Sequence, residues 1–291
     1  MSRRDLLENS TLPEPLIAII GGSGLYSLLE KSETRWIPTP FGASAPTELG
    51  EILGVPVAFL NRHQSPDREV TSSHSIPPHA VNYRANLFAL RQLGVRYVLV
   101  TTAVGSLREK LPPGQLVIPD QLIDLTQARA STFYDGTTVF EIEGKPVSGV
   151  AHIDVTNPFC STLRRILLAA CKELGFPASD LATYATMEGP RFETAAEIKM
   201  LRLLGADIVG MTLAPEAFLA RELGMCYAAC SVVTNYAAGL VNTPITHEET
   251  LRTFKSRIDQ VHKVLRSAIQ NLPPTQSDCN CYSVWETATQ D

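Results

Sequence analysis

The chain is predicted to adopt an α/β fold whose sheet is covered by helices on both faces. Three observations carry this reading. Short β-rich runs alternate with helical patterns along most of the 291 residues. The runs are almost continuously apolar, as strands buried on both faces must be. With 44% hydrophobic residues the chain can bury a large core.

The strand-like runs, in order, are LIAII (16–20), VPVAFL (55–60), RYVLVTTAV (96–104), GQLVIP (114–119), ADIVGM (206–211) and CYAACSVVT (226–234), each bounded by Gly or Pro. Between them, NPFCSTLRRILLAACKELG reads as a helix with Asn157 as N-cap, Pro158 in the first turn and Gly175 as its stop. ETAAEIKMLRLLG ends at Gly205 and APEAFLARELG at Gly224, and THEETLRTFKSRIDQVHKVLRSAIQ makes a long amphipathic last helix. Residues 1–15 and 272–291 are polar, Pro-rich or without pattern and read as tails of a domain spanning 16–271. There is no internal repeat.

A net charge of −5 argues against a protein that grips nucleic acid through its phosphates. Local cations or helix N-termini can still hold a small anion. The first residues, MSRRDLLENSTLPEP, lack the apolar stretch of a signal peptide, and no apolar run reaches the roughly 18 residues that cross a bilayer. A cytoplasmic protein is expected. Among six cysteines, Cys160, Cys171, Cys226 and Cys230 fall in apolar or helical segments. No Cys or His cluster has the paired spacing of a structural zinc site, so no metal is expected. Cys279-Asn280-Cys281 could close a strained disulfide, but two free thiols in a mobile tail is the plainer expectation.

In such a fold ligands bind beyond the strand ends, so the residues after each strand are the ones to read. GGSGLY (21–26) follows the first strand and suits a tight turn or an anion cradle. A dinucleotide fingerprint would need a third glycine where Ser27 stands. NRHQ places Arg62 beside His63, a fork of donors next to a second donor or proton carrier. TTAVGS offers Thr101, Thr102, Ser106 and the Ala103 backbone, and Thr212 follows Met211 after ADIVG. Each alone could be structural. Four loops presenting hydroxyls, glycine backbone and an Arg-His pair at one sheet edge point to an oxyanion such as phosphate. EGPRFETAAE (188–197) sets Phe192 beside Glu193, either a helix-entry carboxylate with its hydrophobic neighbour or a platform and acceptor for a flat heterocycle bearing an N–H.

The ordered series GGSGLY, RH, VNYRAN, TTAVGSLRE, FYDG, EGPRFET, GADIVGMTLAPEAFLARELG and VVTNYAAG resembles the trimeric purine nucleoside phosphorylase and methylthioadenosine phosphorylase family, from about residue 16 to 270. The resemblance implies a single domain with a central mixed twisted sheet, and phosphorolysis of a purine nucleoside to free base and ribose 1-phosphate. It implies no metal or organic cofactor, phosphate being a co-substrate, and a homotrimer or a dimer of trimers. By motif, Ser23, Arg62, His63, Thr102, the backbone of Ala103 and Thr212 bind phosphate, Phe192 lines the base or ribose pocket, Met211 contacts the ribose through its backbone, and Tyr184 lies near the sugar. His152 and Phe159 lie in a segment that can reach a neighbouring subunit's pocket. One departure is a long loop, residues 64–79, where Gln64 stands in place of the usual Gly and His74 and His79 have no assigned place.

The base is read from two side chains. Methylthioadenosine phosphorylases, which this chain resembles, carry Asp where Asn235 stands, a second Asp near Ala237, and a small hydroxyl residue in place of Glu193. Asn235 can donate to O6 and accept from a protonated N7, and Glu193 can accept from N1–H. Adenine would leave both poorly paired. The expected substrates are therefore 6-oxopurine nucleosides, inosine or guanosine. His247 matches a His that meets the ribose 5′-hydroxyl in 6-oxopurine enzymes, or is a solvated first-turn residue. S-methyl-5′-thioinosine or S-methyl-5′-thioadenosine cleavage is the alternative, and a non-catalytic purine binder the remote one.

Overall fold

The computed structural model describes residues 14–22, 28–70, 72, 74–276, 278–283 and 289–290. Eleven strands form one mixed sheet: β1 (Ile17–Gly21), β2 (Glu30–Arg35), β3 (Thr47–Ile52), β4 (Val55–Asn61), β5 (Tyr97–Ser106), β6 (Leu116–Val117), β7 (Gln121–Asp124), β8 (Ala178–Ser179), β9 (Thr183–Thr186), β10 (Ile208–Gly210) and β11 (Cys226–Tyr236). The main path runs β8-β6-β11-β5-β1-β4-β3-β2, and β10, β9 and β7 branch from the end of β5. The centre, β11-β5-β1-β4, is parallel; β2, β3, β6 and β10 join antiparallel. The helices among the described residues are α1 (Tyr83–Gln92), α2 (Ser161–Glu173), α3 (Ala195–Leu203), α4 (Leu213–Glu222) and α5 (His247–Gln270).

Alternation along the strands divides the core in two. Ala18 and Ile20 of β1 and Val98 and Val100 of β5 face a cluster with Leu87, Leu90, Ala217 and Leu219 from α1 and α4. Ile17, Ile19, Tyr97 and Leu99 face the opposite cluster, with Leu163 and Leu167 of α2 and Val261 and Leu265 of α5. Both faces are thus covered, which is why these strands read as unbroken apolar runs. Three expectations change. GQLVIP narrows to Leu116–Val117. The second helix begins at Ser161 with Cys160 as N-cap, so Asn157 and Pro158 lie in the preceding loop. The thiols after α5 are packed: Cys281 is 2% exposed, and Thr162 Oγ1 donates to the Asp278 carbonyl at 2.9 Å. None of the described helices is long and apolar enough to cross a membrane.

Candidate active site

A cavity of about 450 Å³ lies at the C-terminal ends of β4, β5 and β11. Of the residues singled out from sequence, it gathers Arg62, His63, Thr102, Ala103, Phe192, Glu193, Met211, Thr212, Asn235 and His247 in its walls. Ser23 lies outside the described residues. Tyr184 and Ala237 stand behind the wall. Tyr184 is fully buried, its hydroxyl 2.0 Å from where a Cβ on Gly210 would sit, and Ala237 is 1% exposed on the far side of Gly105. Phe159 is buried against Tyr227, rings stacked at 6.1 Å, whereas His152 is exposed.

The strand register sets two groups apart. Thr102 pairs with Ser231, and Gly105 with Asn235. Three residues of extended chain place these pairs about 10 Å from each other. Around Thr102, four of the five guanidinium N–H groups of Arg62 are engaged, by Glu216 Oε1 at 2.7 Å and Oε2 at 3.3 Å and by the Thr101 and Ile20 carbonyls. One N–H on Nη1 remains for a ligand. Thr101 Oγ1 is buried without a partner among the described residues. Thr212 is the N-cap residue of α4, yet its side chain makes no cap bond; the Thr186 hydroxyl accepts from the Ala214 N–H instead, at 3.1 Å. That substitution keeps the Thr212 hydroxyl out of its own helix.

His63 is 7% exposed, and its Nδ1 lies 2.9 Å from the Ile76 carbonyl oxygen, which only accepts. The neutral ring therefore carries its proton on Nδ1 and presents the Nε2 lone pair as an acceptor, where the sequence suggested a donor or a proton carrier. Burial, then the Arg62 charge, pushes its pKa down to about 3. The unfolded ring binds a proton near pH 6.5 and the folded ring does not, so stability is lost as pH falls from 6.5 towards 3, by up to about 1.4 kcal/mol per pH unit. Urea denaturation of wild type and His63→Gln in phosphate-free buffer between these limits checks this. The variant is expected to lose less stability on acidification; identical slopes would contradict the assignment.

At the other group, β11 carries a bulge: Val233 pairs with Val104 and Asn235 with Gly105, leaving Thr234 as the extra residue. The bulge turns Asn235 to the cavity. Its Nδ2 donates to the Tyr236 carbonyl at 2.9 Å and its Oδ1 accepts from Thr234 Oγ1, which leaves one N–H and one lone pair for a ligand. Glu193 is 9% exposed, burial raises its pKa, and its Oε1 has no partner among the described residues. Buried polar atoms are ordinarily paired, so this oxygen leaves Glu193, in the cavity wall, with unused accepting capacity. A Cβ placed on Gly189 would lie 2.6 Å from Met211 Sδ, and the φ of +67° there is one that other residues adopt only with strain. Sequence reasoning passed over Arg129, whose side chain is 1% exposed and donates to the Met211, Met187 and Glu188 carbonyls and pairs with the Glu188 carboxylate at 3.2 Å. At the rim, the long loop brings His74 to 4.5 Å from His63 and 6.1 Å from His247, ring centre to ring centre; His79 is exposed outside the cavity.

Known proteins are similar to this chain in sequence and in fold. The chain is 46% identical over 277 residues to a probable 6-oxopurine nucleoside phosphorylase of Thermococcus kodakarensis, covering 94% of this chain and 99% of that one. It is 46% identical over 274 residues to an S-methyl-5′-thioadenosine phosphorylase of Pyrococcus abyssi, covering 94% and 98%. Among solved structures, methylthioadenosine phosphorylase from Schistosoma mansoni in complex with adenine superposes with a TM-score of 0.82 at 32% identity, covering 93% of this chain and 97% of that one. Residues 16–270 match the family described as the Phosphorylase superfamily, and the chain belongs to it as an enzyme of the purine nucleoside phosphorylase type.

Proposed function

We propose that the enzyme cleaves 6-oxopurine nucleosides, inosine and guanosine, with inorganic phosphate, giving free purine and ribose 1-phosphate for salvage in the cytoplasm. The unpartnered Glu193 oxygen carries the reading. An ionised carboxylate accepts from the N1–H of a 6-oxopurine and repels the N1 lone pair of a 6-aminopurine. Asn235, with one free N–H and one free lone pair, suits O6 and a protonated N7 together. As the glycosidic bond lengthens, negative charge grows on the base and positive charge on C1′, so holding N7 protonated eases departure and an anion beside the sugar stabilises the cation. The Arg62 N–H, the Thr102 and Thr212 hydroxyls and the Ala103 backbone supply donors to phosphate. His63 Nε2 accepts a hydrogen bond from the protonated oxygen of hydrogen phosphate, without taking its proton.

His74 and His247 together support a ribose 5′-hydroxyl over a thioether. Initial rates of base release with phosphate from inosine, guanosine, adenosine, methylthioinosine and methylthioadenosine test the reading. Inosine and guanosine are expected to lead, with adenosine slower by about 10² or more. Adenosine or methylthioadenosine cleaved as fast as inosine would overturn the base assignment, and methylthioinosine preferred to inosine would overturn the 5′ assignment. The reading includes a homotrimer, supported by an exposed apolar stripe of Met200 and Leu203 on α3 and Leu204 just beyond it.

A further inference from the structure

Four thiols converge at the end of β11 remote from the cavity. Cys226 opens that strand, and the nine residues to Asn235 separate the two places by about 30 Å. Cys160 caps α2, and Cys279 and Cys281 come from the segment after α5. All four Sγ atoms lie within 4.8 Å of one another, with Cys226 and Cys279 at 3.4 Å. Cys160, Cys226 and Cys281 are buried, and all six cysteines are unpaired.

A tetrahedral tetrathiolate with zinc–sulfur bonds of about 2.3 Å requires sulfur–sulfur edges of roughly 3.8 Å, within the span seen here. Four sulfurs around one point suit a single ion; two disulfides need only two separate pairs. A soft four-sulfur set selects zinc over hard cations. Four thiolates around a divalent ion leave net negative charge in a buried place, and the surroundings answer it. Arg221 Nη1 donates to Cys281 Sγ at 3.2 Å, Gln276 Nε2 donates to Cys226 Sγ at 3.2 Å, and the 13-residue α2 directs its N-terminus at Cys160. A polar cavity of about 280 Å³ opens on Cys160, Cys279 and Cys281 and offers the ion a path.

We propose that Cys160, Cys226, Cys279 and Cys281 form a structural zinc site that staples the C-terminal segment to the start of β11 and α2. This departs from the sequence expectation of no metal, because the ligands come from three distant segments and only Cys279 and Cys281 are near neighbours in the chain. Each thiol that ligates gives its proton to solvent, so loading weakens as pH falls.

Metal analysis of the full chain purified under reducing, chelator-free conditions is expected to give about one zinc per chain. After denaturation with a chelator, all six thiols should titrate. Cobalt(II) in place of zinc should show a thiolate-to-metal charge-transfer band. The Cys279→Ser/Cys281→Ser double variant should lose the metal and melt roughly 10 °C lower, while inosine turnover at low temperature persists. A metal-free chain with six titratable thiols would overturn the proposal, as would two titratable thiols without reductant and no zinc in its presence.

Discussion

Glu193→Leu lowers kcat/KM for inosine by about 10²–10³-fold, and Glu193→Gln, which keeps a neutral acceptor, lowers it by about 10-fold. In the proposed reading the carboxylate meets the substrate through N1–H, so the loss should concentrate on 6-oxopurines. Stability should move the other way. Burial raises the Glu193 pKa, so the folded state holds the proton more tightly than the unfolded one, and stability falls as pH rises from about 4.5 through the folded value. Glutamine removes that cost. At pH 7 the Gln variant is therefore expected to melt at or above the wild-type temperature while being slower, a trade that residues chosen for activity commonly show. Thermal melts and steady-state rates on the same samples check both halves; a variant slower and also less stable would show that Glu193 holds structure. Asn235→Asp adds the converse: inosine cleavage falls and adenosine cleavage rises, and unchanged selectivity would mean the base is read elsewhere.

Much of the architecture was legible because the central strands are buried on both faces. IAIIG, VPVAFLN, YVLVTTAVGS and CYAACSVVTNY declare themselves as apolar runs. The strands that escaped notice are of another kind. EKSETR in β2 sits at the sheet's edge with charge along it, and TELGEI in β3 keeps polar residues at intermediate positions. Edge strands protect themselves with charge, which erases the pattern that reveals them. TYAT in β9 is too short to stand out although it is central to the branch beside β10.

The site divides along the same line. Residues that follow strands, such as Arg62, Thr102, Thr212 and Asn235, could be read because the α/β topology says where ligands bind. Residues that hold them in place could not. Arg129 lies in a loop with no motif of its own, Thr186 acts by capping a helix that begins 27 residues later, and Ser231 meets Thr102 at 2.9 Å only through strand pairing. Tyr184 was drawn to the sugar by motif alone, and packing behind Gly210 removes it. Glu216 left one faint trace, a carboxylate in the apolar stretch LAPEAFLA on the buried face of α4.

That carboxylate is where the largest loss of stability is expected. Glu216 is 1% exposed and Arg62 3%; they meet through two contacts, and Tyr227 donates to Glu216 Oε2 at 2.7 Å. Burial raises the Glu216 carboxyl above its ordinary value, while the Arg62 charge and the Tyr227 hydroxyl oppose that rise. Glu216→Ala leaves the guanidinium buried without its counter-charge, at a cost of about 3–5 kcal/mol. Phosphate should then take over part of the lost role, since it binds the folded state and carries the missing charge, so added phosphate raises the melting temperature more in the variant than in wild type. Equal phosphate increments would show that Arg62 does not face the anion. The double variant Arg62→Met/Glu216→Leu separates the purposes of the pair. Removing both charges spares the protein an unpaired ion, so its stability should return close to wild type while phosphorolysis stays lost. A double variant as unstable as Glu216→Ala would mean that the pair holds the fold; a stable, inactive one means that a buried ion pair was retained here to keep one guanidinium N–H aimed at phosphate.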